Sequence, residues 1–250
     1  MKRFFLIAYA TIAYLGFLAV FGWAFAFLAD QPSAAGVDRS TARTGTAIAA
    51  GVDLLLLGLF AVHHSVMARP AAKRLLKRVV PAAAERSTYV LTADALLALV
   101  LWQWRPIDGT AWNVQAQPAR GTVWVLYGLG WAIAVGSTFM IDHFDLVGLR
   151  QAASRDYRPP AFQVRWLYGI IRHPIMAGFL IAFWSTPTMS RGHLLFSAAA
   201  SAYILVGVTL EERDLRRELG AVYEDYASRT PAVIPRPTSA PASSSTDSSS

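Results

Sequence analysis

From Phe4 to Leu28 no side chain is charged, and stretches of the same kind recur along most of the chain. A helix rises ~1.5 Å per residue, so about 20 apolar residues cross the hydrocarbon core of a bilayer. Inside lipid every backbone N–H and C=O must be satisfied within the protein, which makes each such stretch a helix. Lys2 and Arg3 precede the first one. It is longer than the apolar core of a cleaved signal peptide and reads as a retained span. Over 250 residues, 54% of positions are hydrophobic and only 16% charged, the balance of an integral membrane protein.

Further spans are expected over Thr46–Met67, Thr88–Trp104, Thr122–Ile141, Trp166–Trp184 and His193–Leu210. The fold class is therefore all-α, a polytopic transmembrane bundle of five or six spans. Asp30–Gly45 and Arg105–Arg120 read as loops, and Ser185 to Gly192 as a tight reversal built on Pro187 and Gly192. Gly128, Gly130 and Gly136 in the fourth span allow close helix approach.

The net charge of +7 sits in short connectors rather than on one solvated face. It reads as a topology signal and excludes a nucleic-acid partner. Arg69, Lys73, Arg74, Lys77, Arg78 and Arg86 crowd one connector with Glu85 as the only acid among them, and residues 142–165 form a second cationic connector. Both belong on the cytoplasmic side, which puts both termini there too. Cysteine is absent, so disulfides, thiolate metal sites and a covalent cysteine relay are excluded. From Glu211, Leu215, Leu219, Val222 and Tyr226 repeat at helical spacing, the pattern of an amphipathic helix. Residues 1–141 thus read as scaffold, 142–230 as a functional core, and the Pro- and Ser-rich 231–250 as a disordered tail.

Two charged patches flank the last apolar pair: Arg172-His173-Pro174 before it and Glu211-Glu212 after it. A chain that leaves the bilayer and returns brings both to one side. Arg172 offers a forked donor for a carboxylate, His173 can donate or accept, and Pro174 frees backbone groups of the preceding turn. The structural alternative is an interfacial Arg and His anchoring a helix end, with the glutamates marking arrival in water. Asp142, His143 and Asp145 put ionisable groups at a span end. His63 and His64 point about 100° apart on a helix and have no third ligand at helical spacing, so no metal site is expected. Asp53 and Asp94, inside spans, read as internal hydrogen-bonding groups.

Tyr168-x-x-x-Arg172-His173-Pro174-x-x-x-Gly178, then Glu211-Glu212-x-x-Leu215 with Gly220-x-x-Tyr223-x-x-Tyr226, resembles the core of the isoprenylcysteine carboxyl methyltransferase and phospholipid methyltransferase superfamily. MIDHFDLVGLRQ from Met140, the hairpin Ile171–Phe196 and YILVGVTLEERDL from Tyr203 narrow the likeness to membrane methanethiol S-methyltransferases. FAVHHSVMARP at Phe60–Pro70 is also similar in character to NnrU-type membrane proteins. Met176 stands where the wider superfamily often has tyrosine.

The resemblance implies S-adenosyl-L-methionine as cofactor, bound by Tyr168, by Arg172 and the turn His173, Pro174, Ile175 and Met176, and by an acid of the Glu211-Glu212 pair, with Glu212 favoured by its spacing to Leu215. It implies a small thiol as substrate, methanethiol giving dimethyl sulfide and hydrogen sulfide giving methanethiol, and a bacterial inner membrane as location. The candidates for base or thiolate stabiliser are His143, Asp142, Asp145 and His173, with Arg172 as a catalytic cation. Alternatives are a prenylcysteine or phospholipid amine acceptor, or a non-enzymatic NnrU-like protein using His63, His64 and His143 as ligands.

Overall fold

The computed structural model describes residues 2–30, 36–39 and 44–235. In chain order they form α1 (Lys2–Leu28), α2 (Thr46–Met67), α3 (Pro70–Leu76), a 3₁₀ turn at Ala82–Ala84, α4 (Glu85–Gln103), β1 (Thr110–Asn113), α5 (Gln117–Ile141), α6 (His143–Leu146) and α7 (Leu149–Ala153). A second 3₁₀ turn at Trp166–Gly169 leads to α8 (Pro174–Trp184), β2 (Thr188–Ser190), α9 (Arg191–Leu219) and α10 (Ala221–Arg229).

Helices α1, α2, α5 and α9 are long and apolar enough to cross a membrane, and α4, with 19 residues, is a fifth long helix. The architecture is the expected all-α bundle. Its outer faces carry exposed Leu55, Val125 and Phe139, as a lipid-facing surface requires.

Three local features depart from the expected spans. The stretch from Trp166 does not enter a helix at once: Trp166 has φ 50° and the helix begins only at Pro174. Proline lacks an N–H and pushes the residue before it out of the helical region, so it suits the first helical position and His173 stays outside. With 11 residues, α8 is about 16 Å long and too short to span. Second, α9 runs 29 residues straight through the expected boundary at Glu211, because helical hydrogen bonding is indifferent to the change from apolar to charged side chains. Gly220, with φ 56°, ends it. Third, β1 and β2 pair antiparallel, Thr110 opposite Ser190 and Asn113 opposite Thr188, tying together two connectors expected to be irregular.

The ribbon closes one end of the bundle. Beneath it, Phe27, Leu28, Val37, Val100, Leu101, Trp104, Tyr127 and Phe196 form the buried core. Asp53, wholly buried, accepts from the Arg105 backbone N–H at 2.9 Å, a structural role for an acid within a span. Short α8 is held against α5 at Gly130 and Gly178. A Cβ on Gly130 would meet the Ala182 nitrogen at 2.6 Å and one on Gly178 the Ala134 nitrogen at 2.5 Å, so the backbones touch. Gly128 and Gly136 face open space. At the opposite end from the ribbon, Arg69 of the cationic connector pairs with Asp214 of α9. Residues 236–250, most of the expected tail, lie outside the described residues.

A candidate active site at the charged end of the bundle

Because α8 begins at Pro174 and α9 overruns its apolar segment by two turns, Arg172 and His173 arrive beside Glu211 and Glu212. Glu212 turns inward and is 9% exposed. Its Oε1 accepts from Arg172 Nε at 2.7 Å, His173 Nε2 at 2.9 Å and Tyr223 Oη at 2.9 Å; its Oε2 accepts from Arg172 Nη2 at 2.9 Å and Arg216 Nη2 at 3.0 Å. Those bonds fill the acceptor capacity of a carboxylate.

The Arg172 guanidinium is equally occupied. Its Nη1 donates to the carbonyls of Ala227, at 3.0 Å, and of Thr230, so a cation caps the C-terminal end of α10. The backbone N–H groups of Arg172 and His173 donate to the carbonyls of Pro231 and Ala232, both at 2.9 Å. The strap from Thr230 to Ala232 thereby holds the turn from behind.

Glu211 has a different environment. Its side chain is 51% exposed, and His173 Nδ1 lies 3.6 Å from its Oε2. With Nε2 bonded to Glu212, His173 turns its Nδ1 toward the Glu211 carboxyl group at a distance beyond hydrogen-bond reach. Tyr168, Tyr89 and Arg69 are the surrounding electrostatic neighbours. Burial pushes the Tyr168 phenol above its ordinary range, so it stays a neutral donor. Beside it Phe162, Tyr223 and Tyr226 form an aromatic cluster with centroids 5.6 to 6.1 Å apart, and Tyr226 donates to the Tyr168 carbonyl. Tyr89 Oη lies 2.9 Å from His64 Nε2.

The other sequence candidates lie apart from this cluster. His143 is buried, stacks on Phe139 at 4.0 Å, and places Nδ1 2.7 Å from Thr138 Oγ1 and Nε2 3.1 Å from Tyr14 Oη. The Thr138 hydroxyl already donates to the Val135 carbonyl, so Nδ1 is the donor and Nε2 accepts from Tyr14. Burial lowers the pKa of this imidazole. Asp142 caps α6 by accepting from the Asp145 N–H at 3.2 Å and pairs with Arg150. Asp145 accepts from Gln151 Nε2 at 3.2 Å. Pro174 is buried at the first position of α8, followed by Ile175 and Met176.

Sequence reasoning assigned no role to Tyr223 or Arg216, which complete the shell of Glu212. Tyr223 stands in the Gly220-x-x-Tyr223 spacing, and Arg216 four residues after Glu212 is the ordinary distance for a helical ion pair, so both signals were present.

The NnrU protein family profile matches residues 53–227. The chain is 47% identical over 242 residues to a methanethiol S-methyltransferase of Mycobacterium tuberculosis, covering 95% of this chain and 98% of that protein. It is 47% identical over 242 residues to methanethiol S-methyltransferase 2 of Bradyrhizobium diazoefficiens, covering 94% and 91%, and 41% identical over 232 residues to a methanethiol S-methyltransferase of Pseudomonas sp. strain GM41(2012), covering 91% and 89%. No solved structure matches the chain. On the family profile and on these near full-length likenesses, the chain belongs to the NnrU family and to the methanethiol S-methyltransferase family.

Proposed function

We propose that this membrane protein transfers a methyl group from S-adenosyl-L-methionine to methanethiol, giving dimethyl sulfide, with hydrogen sulfide as a second acceptor. The observation that carries the reading is the pairing of an acid with spare acceptor capacity, Glu211, with the His173 ring, in a chain 47% identical to a methanethiol S-methyltransferase over 95% of its length.

The residues at this end suit such a cofactor. Glu211 Oε2 and His173 Nδ1, 3.6 Å apart with no hydrogen bond between them, leave a place for an ammonium or a ribose hydroxyl. The N–H groups of Ile175 and Met176 in the first turn of α8 suit a carboxylate. Phe162, Tyr226 and Tyr168 offer faces for a purine. When bound, the cofactor supplies a methyl group on a positively charged sulfur. The protein's share is to align the thiol with that methyl, to keep water out and to favour the thiolate. The fixed shell of Arg172, Glu212 and Tyr223 keeps His173 from rotating, and the bonded pair of Tyr89 and His64 offers polar atoms at the same end of the bundle for a small thiol. Asp142, His143 and Asp145 brace the neighbouring connector. By the positive-inside rule this end faces the cytoplasm, which puts both termini there in the bacterial inner membrane.

The test is headspace gas analysis of cells expressing the chain and fed methanethiol. Dimethyl sulfide above an empty-vector control is the expected result. Its absence, in cells whose membranes hold the folded protein, would overturn the reading.

A further inference from the structure

The faces of α9 at its charged end carry opposite signs. Glu211 and Asp214 turn toward the cationic connector, where Asp214 meets Arg69. On another side Thr209, Arg213, Arg216 and Arg217, with Arg172 and Glu212, line an open groove of about 570 Å³. Its charge is four arginines against one glutamate. Arg172 and Arg216 are spent on Glu212, and Arg216 also reaches Glu224 at 2.9 Å. Arg213 and Arg217, one turn apart and exposed, have no acidic partner among the described residues.

The groove does not open onto bulk water alone. One turn before Thr209, Leu205 and Val206 are 56% and 58% exposed, an apolar face that only lipid tails would cover. An acyl chain lying on that face carries its headgroup to Thr209, Arg213 and Arg217. Arginine pairs with phosphate through two parallel N–H donors, and an unpaired cation at a lipid surface is attracted to anionic headgroups.

We propose that this groove is a binding site for the phosphate of an anionic phospholipid, separate from the proposed methyl-donor site and divided from it by the Arg172–Glu212 pair. It takes one lipid from the leaflet on the charged side. The bound headgroup adds negative charge beside Arg213 and Arg217, next to a wall where Glu212 and Glu224 already hold Arg172 and Arg216, and stabilises that end of the bundle. The inference rests on the exposed groove and not on the methyltransferase reading, so either can fail without the other.

The experiment uses the full chain in a neutral detergent, and follows thermal unfolding on titration with phosphatidylglycerol, phosphatidylcholine or inorganic phosphate. Phosphatidylglycerol should raise the unfolding temperature saturably. Arg213→Gln/Arg217→Gln should weaken its apparent affinity roughly 10- to 30-fold, and Arg213→Lys/Arg217→Lys should recover most of it. If the glutamine variant does not fold, the lysine variant and the lipid comparison still decide. Equal stabilisation by phosphatidylcholine, or an unchanged phosphatidylglycerol response in the glutamine variant, would overturn the proposal. An equal response to inorganic phosphate would also overturn it, because the site would then read a soluble anion instead of a lipid.

Discussion

Arg172 and Glu212, forty positions apart, meet in a two-point ion pair with Nε–Oε1 at 2.7 Å and Nη2–Oε2 at 2.9 Å. Arginine and carboxylate match in this geometry, and both side chains are about nine-tenths shielded from water. Removing one partner leaves the other charge uncompensated in a poorly solvated place. Glu212→Gln should therefore destabilise the protein by about 3 kcal/mol, read as a lower unfolding temperature in detergent. Arg172→Gln should behave alike, and the double variant should cost less than the sum of the two. Additive losses would mean that the pair does not hold this end together.

Glu211 should respond in the opposite sense. Its half-exposed carboxyl group makes no direct ion pair with an arginine, so Glu211→Gln should leave the unfolding temperature nearly unchanged. In the proposed site it is the acid with acceptors to spare, and losing one charge-assisted contact should weaken S-adenosylhomocysteine binding roughly tenfold. Calorimetric titration of both glutamine variants separates the roles. If Glu211→Gln binds like wild type while a folded Glu212→Gln does not, the ligand acid is the one that spacing to Leu215 favours.

Much of this arrangement can be read in the residues. Apolar stretches locate the long helices because lipid leaves a backbone no alternative, and the position of the arginine and the glutamates on either side of one apolar excursion brings them to one end. The limits of those helices are less visible. Trp166 looks like the start of a span by hydropathy, yet Pro174 sets the start by geometry. Glu211 looks like a boundary by charge, yet Gly220 ends the helix by conformation. Which glutamate is sequestered depends on Tyr223 and Arg216, and the neighbours of His143 include Tyr14, 129 positions away. The ribbon joins Asn113 to Thr188, 75 positions apart. Pairings over such distances leave no local periodicity to find.

His143 gives a pH dependence with a definite sign. Burial holds its pKa below the ordinary histidine value of about 6.5. At acid pH the unfolded chain then binds a proton that the folded chain resists, so the contribution of the neutral ring is whole above about 6.5 and is lost as pH falls from there toward the lower folded value. His143→Gln removes the titration and can still offer a donor to Thr138 and an acceptor to Tyr14. Unfolding temperatures between pH 5 and 8 should fall more steeply on the acid side for wild type than for the variant. Parallel curves would show that the ring is not held neutral by its surroundings.

The contact between α5 and α8 predicts a contrast among glycines. Gly130→Ala puts a methyl group 2.6 Å from the Ala182 backbone nitrogen, where only a shift of the whole short helix makes room. Overpacking of this kind costs typically about 1–3 kcal/mol. Because α8 begins at Pro174, the shift would also move His173 and reduce activity. Gly128→Ala and Gly136→Ala, which meet nothing within 4 Å, should be neutral in both measurements. Equal effects at all three would point to helix propensity and away from packing.

The strap behind Arg172 predicts where the chain can be shortened. Pro231 and Ala232 supply the acceptors for the Arg172 and His173 backbone N–H groups, and buried N–H groups without partners cost about 1–3 kcal/mol each. Ending the chain after Thr230 removes both acceptors together, and also places a new carboxylate at the residue whose carbonyl Arg172 holds, so that it competes with Glu212 for the guanidinium. Ending it after Pro235 keeps the strap. The longer truncation product should match wild type in unfolding temperature and in dimethyl sulfide output, while the shorter should lose several degrees and most of its activity. If the two products behave alike, the turn holding His173 is set by its side-chain bonds to Glu212 alone, and the strap follows that turn without shaping it.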